Sequence, residues 1–165
     1  MGAATLSTDT VVHELYEAPE VRDAVMERWG TTDRSEIARR AFATPEDRKW
    51  LEELLWPKVG ERIWAWREEQ AARDPAPRAL VVEVPLLFES GMDAAFDATV
   101  AVVADEAVRR ERAGSRGHAA LDERTARQLT QEEKADRATY TVANSGTLEE
   151  LEQTLTEVLE KVNTR

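Results

Sequence analysis

Residues 80–91, LVVEVPLLFESG, constrain this chain more than any other stretch. Leu80-Val81-Val82-Glu83-Val84 is short, apolar and mostly β-branched. Such a run reads as a strand buried on both faces, which belongs in the parallel sheet of an α/β fold. Pro85 ends the strand, because it has no N–H to give to a ladder. The run after it, Leu86-Leu87-Phe88-Glu89-Ser90-Gly91, begins apolar and closes on a carboxylate and a glycine. Ligands of open α/β sheets bind outside the carboxyl ends of the strands. Glu83 near the strand end and Glu89 just past it are therefore placed for chemistry. The plainer alternative makes Glu83 a strand-end carboxylate bonded to neighbouring backbone.

Upstream, the pattern is helical. Ala3-Ala4-Thr5-Leu6 is a short candidate strand, and Ser7, Thr8 or Asp9 can cap the helix after it. Val11, Val12 and Leu15 give that helix an apolar face. Pro19 opens a second helix with Val21, Val25 and Trp29 inward and Gly30 as its stop. Asp33 caps a third, with Ile37, Ala41 and Phe42 inward. Thr44-Pro45 opens a fourth, which buries Trp50, Leu51, Leu54 and Leu55 and which Pro57 is expected to break or kink at Trp56. Val59, Ile63 and Trp66 share the next face. Residues 10–73 thus read as a helical subdomain that holds every tryptophan of the chain. Trp64 falls off the Val59/Ile63/Trp66 face and is free to meet a ligand or a partner. Residues 74–78, DPAPR, are a stiff linker.

After Gly91 strands and helices alternate. Residues 98–103, ATVAVV, read as a second buried strand, and Asp105 caps the helix beyond it. Arg109, Arg110, Arg112 and Arg116, then Arg124 and Arg127, make an acidic chain locally basic. Guanidinium forks suit phosphate oxygens; the plainer alternative is a solvated helix face paired with Glu111, Asp122 and Glu123. Tyr140-Thr141-Val142-Ala143 is a strand ending in the turn Asn144-Ser145-Gly146. Thr147 and Glu150 form a capping box for a last helix with the stripe Leu148, Leu151, Leu155, Val158, Leu159 and Val162.

The 165 residues suffice for one domain with a real core. A net charge of −11, spread along the chain, argues against nucleic acid or a membrane surface as partner. There is no cysteine, and the two histidines, His13 and His118, lack metal-ligand spacing, so no metal site is read from the residues. No secretory leader and no membrane span are legible, which leaves the cytoplasm as the expected location.

Four segments, in order, resemble the dephospho-coenzyme A kinase family. They are Ser7-Thr8-Asp9 with His13-Glu14-Leu15; Val84 to Gly91, VPLLFESG; Arg112 and Arg116 followed by Gln128 and Glu132-Glu133-Lys134; and Asn144-Ser145-Gly146 with the final helix. The resemblance implies an α/β fold of the P-loop kinase type, nucleoside-monophosphate-kinase-like, with a parallel sheet flanked by helices and a helical subdomain. It implies a single kinase-like domain over 1–165, with 9–73 as the helical acceptor side. Residues 78–104 and 138–165 would be the core, and 105–137 the lid and following helices.

The implied activity is ATP-dependent phosphorylation of the ribose 3′-hydroxyl of dephospho-CoA, by a monomer, with ATP as co-substrate and Mg2+ carried on its phosphates. Asp9 would position or deprotonate the acceptor hydroxyl. Arg112 and Arg116 would close over the phosphates as catalytic groups. Glu83, Pro85, Leu86, Leu87, Phe88 and Glu89 would line the acceptor pocket, and Asn144 and Gly146 would lie near the adenine of ATP.

The sequence also departs from the family pattern. It holds no G-x-x-x-x-G-K-[ST]: its lysines are Lys49, Lys58, Lys134 and Lys161, and none follows a glycine. Ser7 replaces the first aspartate of the family's DAD, Trp56 stands at a histidine position, and Thr139 replaces an aspartate. The expectation is an N-terminally truncated kinase, roughly 30 residues short, without the Walker segment and the first central strand. A gap of roughly 10 Å, or direct pairing of the flanking strands, would follow. The alternative is a catalytically inactive, P-loop-less relative that binds or regulates on the CoA side.

Overall fold

The structure is a computed structural model that describes residues 2–114 and 128–164. The chain divides into two compact units, Gly2–Pro85 and Leu86–Arg165.

In the first unit, β1 (Ala4–Ser7) leads directly into α1 (Thr8–Leu15), followed by α2 (Pro19–Trp29), α3 (Arg34–Ala41) and α4 (Pro45–Ala71), and then β2 (Leu80–Glu83). The end signals act as the sequence predicts. Gly30 closes α2 in the left-handed conformation at φ 67°, which a side chain would strain. The Asp33 carboxylate accepts the Glu36 N–H at 2.9 Å, and the Thr44 hydroxyl accepts that of Asp47 with Pro45 opening the helix behind it.

Pro57 does not end or divide α4, which runs unbroken from Pro45 to Ala71. Proline removes one hydrogen bond, but Leu55 and Val59 on either side of it are both buried, and that packing holds the helix through. Val11, Leu15, Val21, Leu55 and Val59 form one core cluster; Val25, Trp29, Ile37 and Ala41 form another, with Trp50 packed against it. Trp29 and Trp50 meet edge to face, ring centres 5.0 Å apart. Phe42, expected inward, is 45% exposed because it stands at the C-cap of α3, where the helical face runs out.

β1 and β2 pair in parallel, Ala4 opposite Leu80 through Ser7 opposite Glu83. Leu6 packs on the helical core, whereas Val81, on the other face of the ladder, is 47% exposed. The expectation of a strand buried on both faces is therefore corrected: side chains alternate across a strand, and the unit's own helices pack the Leu6 face of the ladder.

In the second unit, residues 86–91 form turns and Met92–Ala95 a 3-10 turn, followed by β3 (Val100–Val103) and α5 (Glu106–Gly114). Beyond residue 127 come α6 (Gln131–Arg137), β4 (Tyr140–Ala143) and α7 (Leu148–Asn163). β3 and β4 pair in parallel, Val100 opposite Tyr140 through Val103 opposite Ala143. α7 packs on β4 and α6 on β3. Val142 and Ala101 are buried, yet Val100 and Val102 stay exposed, so this strand too is covered on one face. Leu148, expected in the buried stripe of α7, is exposed at the first position of that helix. The observed ladders are two, β1–β2 and β3–β4, each of two strands. Among the described residues, no helix is long and apolar enough to cross a membrane.

Candidate active site

The first unit brings Ser7, Thr8, Asp9 and Glu83 to the carboxyl ends of β1 and β2. Parallel pairing fixes this, because Ser7 and Glu83 are register partners and α1 begins at Thr8. The buried Thr8 hydroxyl donates to the Glu83 carbonyl oxygen at 3.0 Å. Thr8, the first residue of α1, is thus spent on tying the helix start to the neighbouring strand, and Ser7 at the N-cap makes no side-chain cap bond. Asp9, one residue on, is exposed in the first turn of α1, where the helix dipole favours a carboxylate. The Glu83 side chain is exposed as well, while its backbone is held in the ladder. Pro85, just past β2, closes this unit. On the outer turn of α1, the Arg34 guanidinium bonds the His13 ring.

The second unit organises Glu89. Its Oε1 accepts the Leu129 N–H at 2.9 Å and lies 3.0 Å from the Lys134 ammonium. Oε2 is buried without a hydrogen-bond partner among the described residues. Burial works to raise the Glu89 carboxyl, but the Leu129 N–H, its own backbone N–H and Lys134 outweigh it and hold the group below the usual carboxylate range. Leu87 and Phe88 are half-buried, Leu86 is exposed, and the Ser90 hydroxyl donates to the Leu87 carbonyl, closing the turn. Glu89 therefore reaches inward, to the segment that opens α6.

The carboxyl ends of β3 and β4 form a third cluster, in the same unit. The Asn144 N–H donates to the Val103 carbonyl at 2.7 Å, and the Asp105 N–H to the Ser145 hydroxyl at 2.8 Å. Gln131 binds both backbone groups of Ala104, its Oε1 accepting the N–H and its amide donating to the carbonyl. Arg112 donates to the Asn144 carbonyl at 2.8 Å, across the strand ends. A Cβ at Gly146 would meet the end of the Glu150 side chain, whose carboxylate folds back to the Thr147 N–H as the capping box, so a side chain here would have to displace that bond. Arg109 and Arg110 pair with Glu106 on the exposed face of α5, not with the expected Glu111, while the expected Asp122 and Glu123 lie outside the described residues. Arg116, together with Arg124 and Arg127, lies outside the described residues.

Thr8 and Gln131 are functional-site neighbours that sequence reasoning passed over. Thr8 resembled a cap and nothing more, and no local signal marks Gln131. A depression of about 620 Å³ lined by Tyr140, Glu157, Glu160, Lys161 and Thr164 opens at the amino end of β4, opposite the end that carries Asn144 and Ser145. Among the described residues, no three His, Asp or Glu side chains converge as a metal site.

Parallel ladders with polar groups at their carboxyl ends, each packed by helices of its own unit, make this an α/β fold, and its likeness to solved structures sets it with the P-loop kinases. A solved structure from Thermus thermophilus superposes with a TM-score of 0.78 at 30% identity, over 97% of this chain and 85% of that one. A dephospho-CoA kinase from Campylobacter jejuni gives 0.65 at 20% identity, a likeness of fold. The family model for dephospho-CoA kinase matches residues 7–150. The dephospho-CoA kinase of Deinococcus radiodurans is 36% identical over 98% of this chain and 81% of its own length. That of Protochlamydia amoebophila is 34% identical over 98% and 85%. The chain belongs to the dephospho-CoA kinase family.

Proposed function

We propose that this protein transfers the γ-phosphoryl group of ATP to the ribose 3′-hydroxyl of dephospho-CoA, giving CoA and ADP in the cytoplasm. The observation that carries this reading is the family match over residues 7–150. Its first residues are the Ser7-Thr8-Asp9 strand end, and it runs through the NSG turn. In the reaction the acceptor oxygen bonds to the γ-phosphorus, the bond from that phosphorus to the bridging oxygen breaks, and the hydroxyl proton leaves to a base. Asp9 is the carboxylate suited to that proton: exposed, at a helix start, and without an ion pair among the described residues.

Arg112 is held at the carboxyl end of β4, where a guanidinium neutralises phosphate charge; Arg116 is assigned the same task. Glu83, Pro85, Leu86, Leu87, Phe88 and Glu89 are assigned to the acceptor side, Glu89 acting there through its hold on Leu129 and Lys134. Asn144 and Gly146, in the turn at the carboxyl end of β4, are assigned to the adenine. Mg2+ would enter as the ATP complex, held by substrate phosphates with one or two carboxylates.

The 165 residues hold no glycine-lysine phosphate loop, so the assay is run twice, on the protein as its cells make it and on this chain. ADP and CoA formed one for one, only with dephospho-CoA present, is the expected result for the cellular protein. No CoA from the cellular protein would overturn the reading. Calorimetric binding of dephospho-CoA without ATP binding or turnover would replace it with an acceptor-binding role.

A further inference from the structure

Trp56 and Trp64 are the two exposed tryptophans, 45% and 58% open to solvent, and both lie on α4. Between them, at equal spacing, stands Gly60. At 100° per residue Trp56, Gly60 and Trp64 lie within about 40° of one line along the helix, the two tryptophan positions about 12 Å apart along its axis. Lys49, Glu53, Arg67 and Ala71 lie within about 20° of the same line, and all four are exposed. The face is a continuous stripe, K-E-W-G-W-R-A, on one helix.

Nothing among the described residues calls for a glycine at position 60. No atom beyond its own stretch of helix stands within 4 Å of where its Cβ would be, and it is not in a positive-φ conformation. A glycine in a helix interior weakens the helix relative to alanine. A glycine there gains its use only when another backbone comes close, as at a helix crossing.

The stripe is also its own complement. When a second α4 lies antiparallel with Gly60 on Gly60, each residue faces the one equally far on the other side. Trp56 then meets Trp64 of the second copy, and Glu53 meets Arg67 of the second copy, each contact made twice. The like-charged Glu52 and Glu68 would also be opposed, but they stand about 80° off the line, at the rim. Within one chain these charges have only exposed partners: Lys49 lies 3.7 Å from Glu53, and Arg67 stacks 4.9 Å from the Trp64 ring centre. Exposed pairs of this kind are weak and exchange readily.

We propose that the Lys49–Ala71 face of α4 is an isologous interface, on which a second copy of this chain docks across a two-fold axis through Gly60. The indoles fill the notches beside the glycines, and the Glu53–Arg67 pairs fix the antiparallel direction. This goes beyond the catalytic reading and replaces the expectation of a monomer.

The test is sedimentation velocity over a concentration series of the full chain, whose mass is 18.6 kDa. Mass rising to two chains and stopping there is the expected result. Gly60→Arg should abolish the dimer while leaving the monomer folded, since the site is open and arginine favours helix. Glu53→Arg or Arg67→Glu alone should weaken association by about tenfold, and the double exchange should restore it. A single-chain mass at every concentration, or association that survives Gly60→Arg, overturns the proposal. Quenching of tryptophan fluorescence by dephospho-CoA that vanishes in Trp64→Ala would give this face to the acceptor, and overturns it as well.

Discussion

The Glu89 carboxylate and the Lys134 ammonium stand 3.0 Å apart, and the same carboxylate oxygen takes the Leu129 N–H. One side chain thus pins the PLLFES turn to the start of α6. The pair is mostly shielded, with 16% of the Glu89 side chain and 23% of Lys134 exposed. Its partner oxygen Oε2 is buried with no bond among the described residues. Removing the lysine therefore leaves a partly desolvated charge supported by backbone alone. Lys134→Met should destabilise the second unit by about 1–3 kcal/mol. Glu89→Gln in the Lys134→Met background should recover part of that loss, because the amide carbonyl still accepts from Leu129. Urea unfolding of the four proteins of this cycle measures the coupling. Additive losses would mean that the two side chains do not act together.

The same pair sets a pH dependence. The Glu89 carboxyl lies below its ordinary 4.5 when folded. It therefore contributes stability that is full above that value and is lost as pH falls through the lower folded one. Urea midpoints followed from pH 6 downward should fall less steeply in Glu89→Gln than in the unaltered chain. Parallel curves would show that another carboxylate controls the acid limb.

Glu36 tests the electrostatics of the helical unit in isolation. Hydrogen bonds from Arg39 and then Arg40 hold its carboxyl down at about 2, against an ordinary 4.5. Folded chains bind fewer protons here than unfolded ones between those values, so the contribution is present above 4.5 and disappears as pH falls through about 2. Carboxyl-carbon NMR should place its midpoint near the low value, and Arg39→Gln should move it upward. A midpoint at the ordinary value in the unaltered chain would mean that the guanidinium forks are not formed in solution.

Thr8 carries a fourth expectation. Its buried hydroxyl reaches the Glu83 carbonyl and joins the start of α1 to β2. Thr8→Val keeps the shape and removes the donor, and should cost about 1 kcal/mol in urea unfolding. Thr8→Ser, which keeps the donor, should cost less. No loss in Thr8→Val would mean that the hydroxyl bond does not hold the two elements together, and a larger loss in Thr8→Ser than in Thr8→Val would give the site's contribution to the methyl packing.

Features that are local in sequence were legible. Asp33, Thr44 and Thr147 cap the helices their spacing marks, Gly30 stops α2, and Tyr140–Ala143 is the strand its β-branched pattern describes. Such signals act within one helical turn or one strand, so the chain itself contains both partners. What escaped depends on cover and on distance in sequence. Val81 and Val102 have the composition of doubly buried strands, but burial is decided by what packs on each face, and β-branching is silent on that. Pro57 looks like a break until Leu55 and Val59 are seen buried around it. Thr8, Gln131 and Lys134 find partners far along the chain, at Glu83, Ala104 and Glu89. The resemblance placed Glu89 in the acceptor pocket; the structure shows its carboxylate engaged with Leu129 and Lys134.

The Asp9 assignment makes the most direct chemical prediction. If the Asp9 carboxylate takes the hydroxyl proton, then Asp9→Asn keeps the size and the helix-start position but cannot accept that proton. In the protein as its cells make it, kcat should fall by about a hundred- to ten-thousand-fold, while the KM for dephospho-CoA changes little, because the loss falls on the transition state and not on acceptor binding. Asp9→Glu should recover part of the rate, since it restores a carboxylate with a longer reach. A rise in KM with kcat unchanged would make Asp9 a binding group. An unchanged rate in Asp9→Asn would move the base to another carboxylate, with Glu83, exposed at the end of the neighbouring strand, as the next to be substituted.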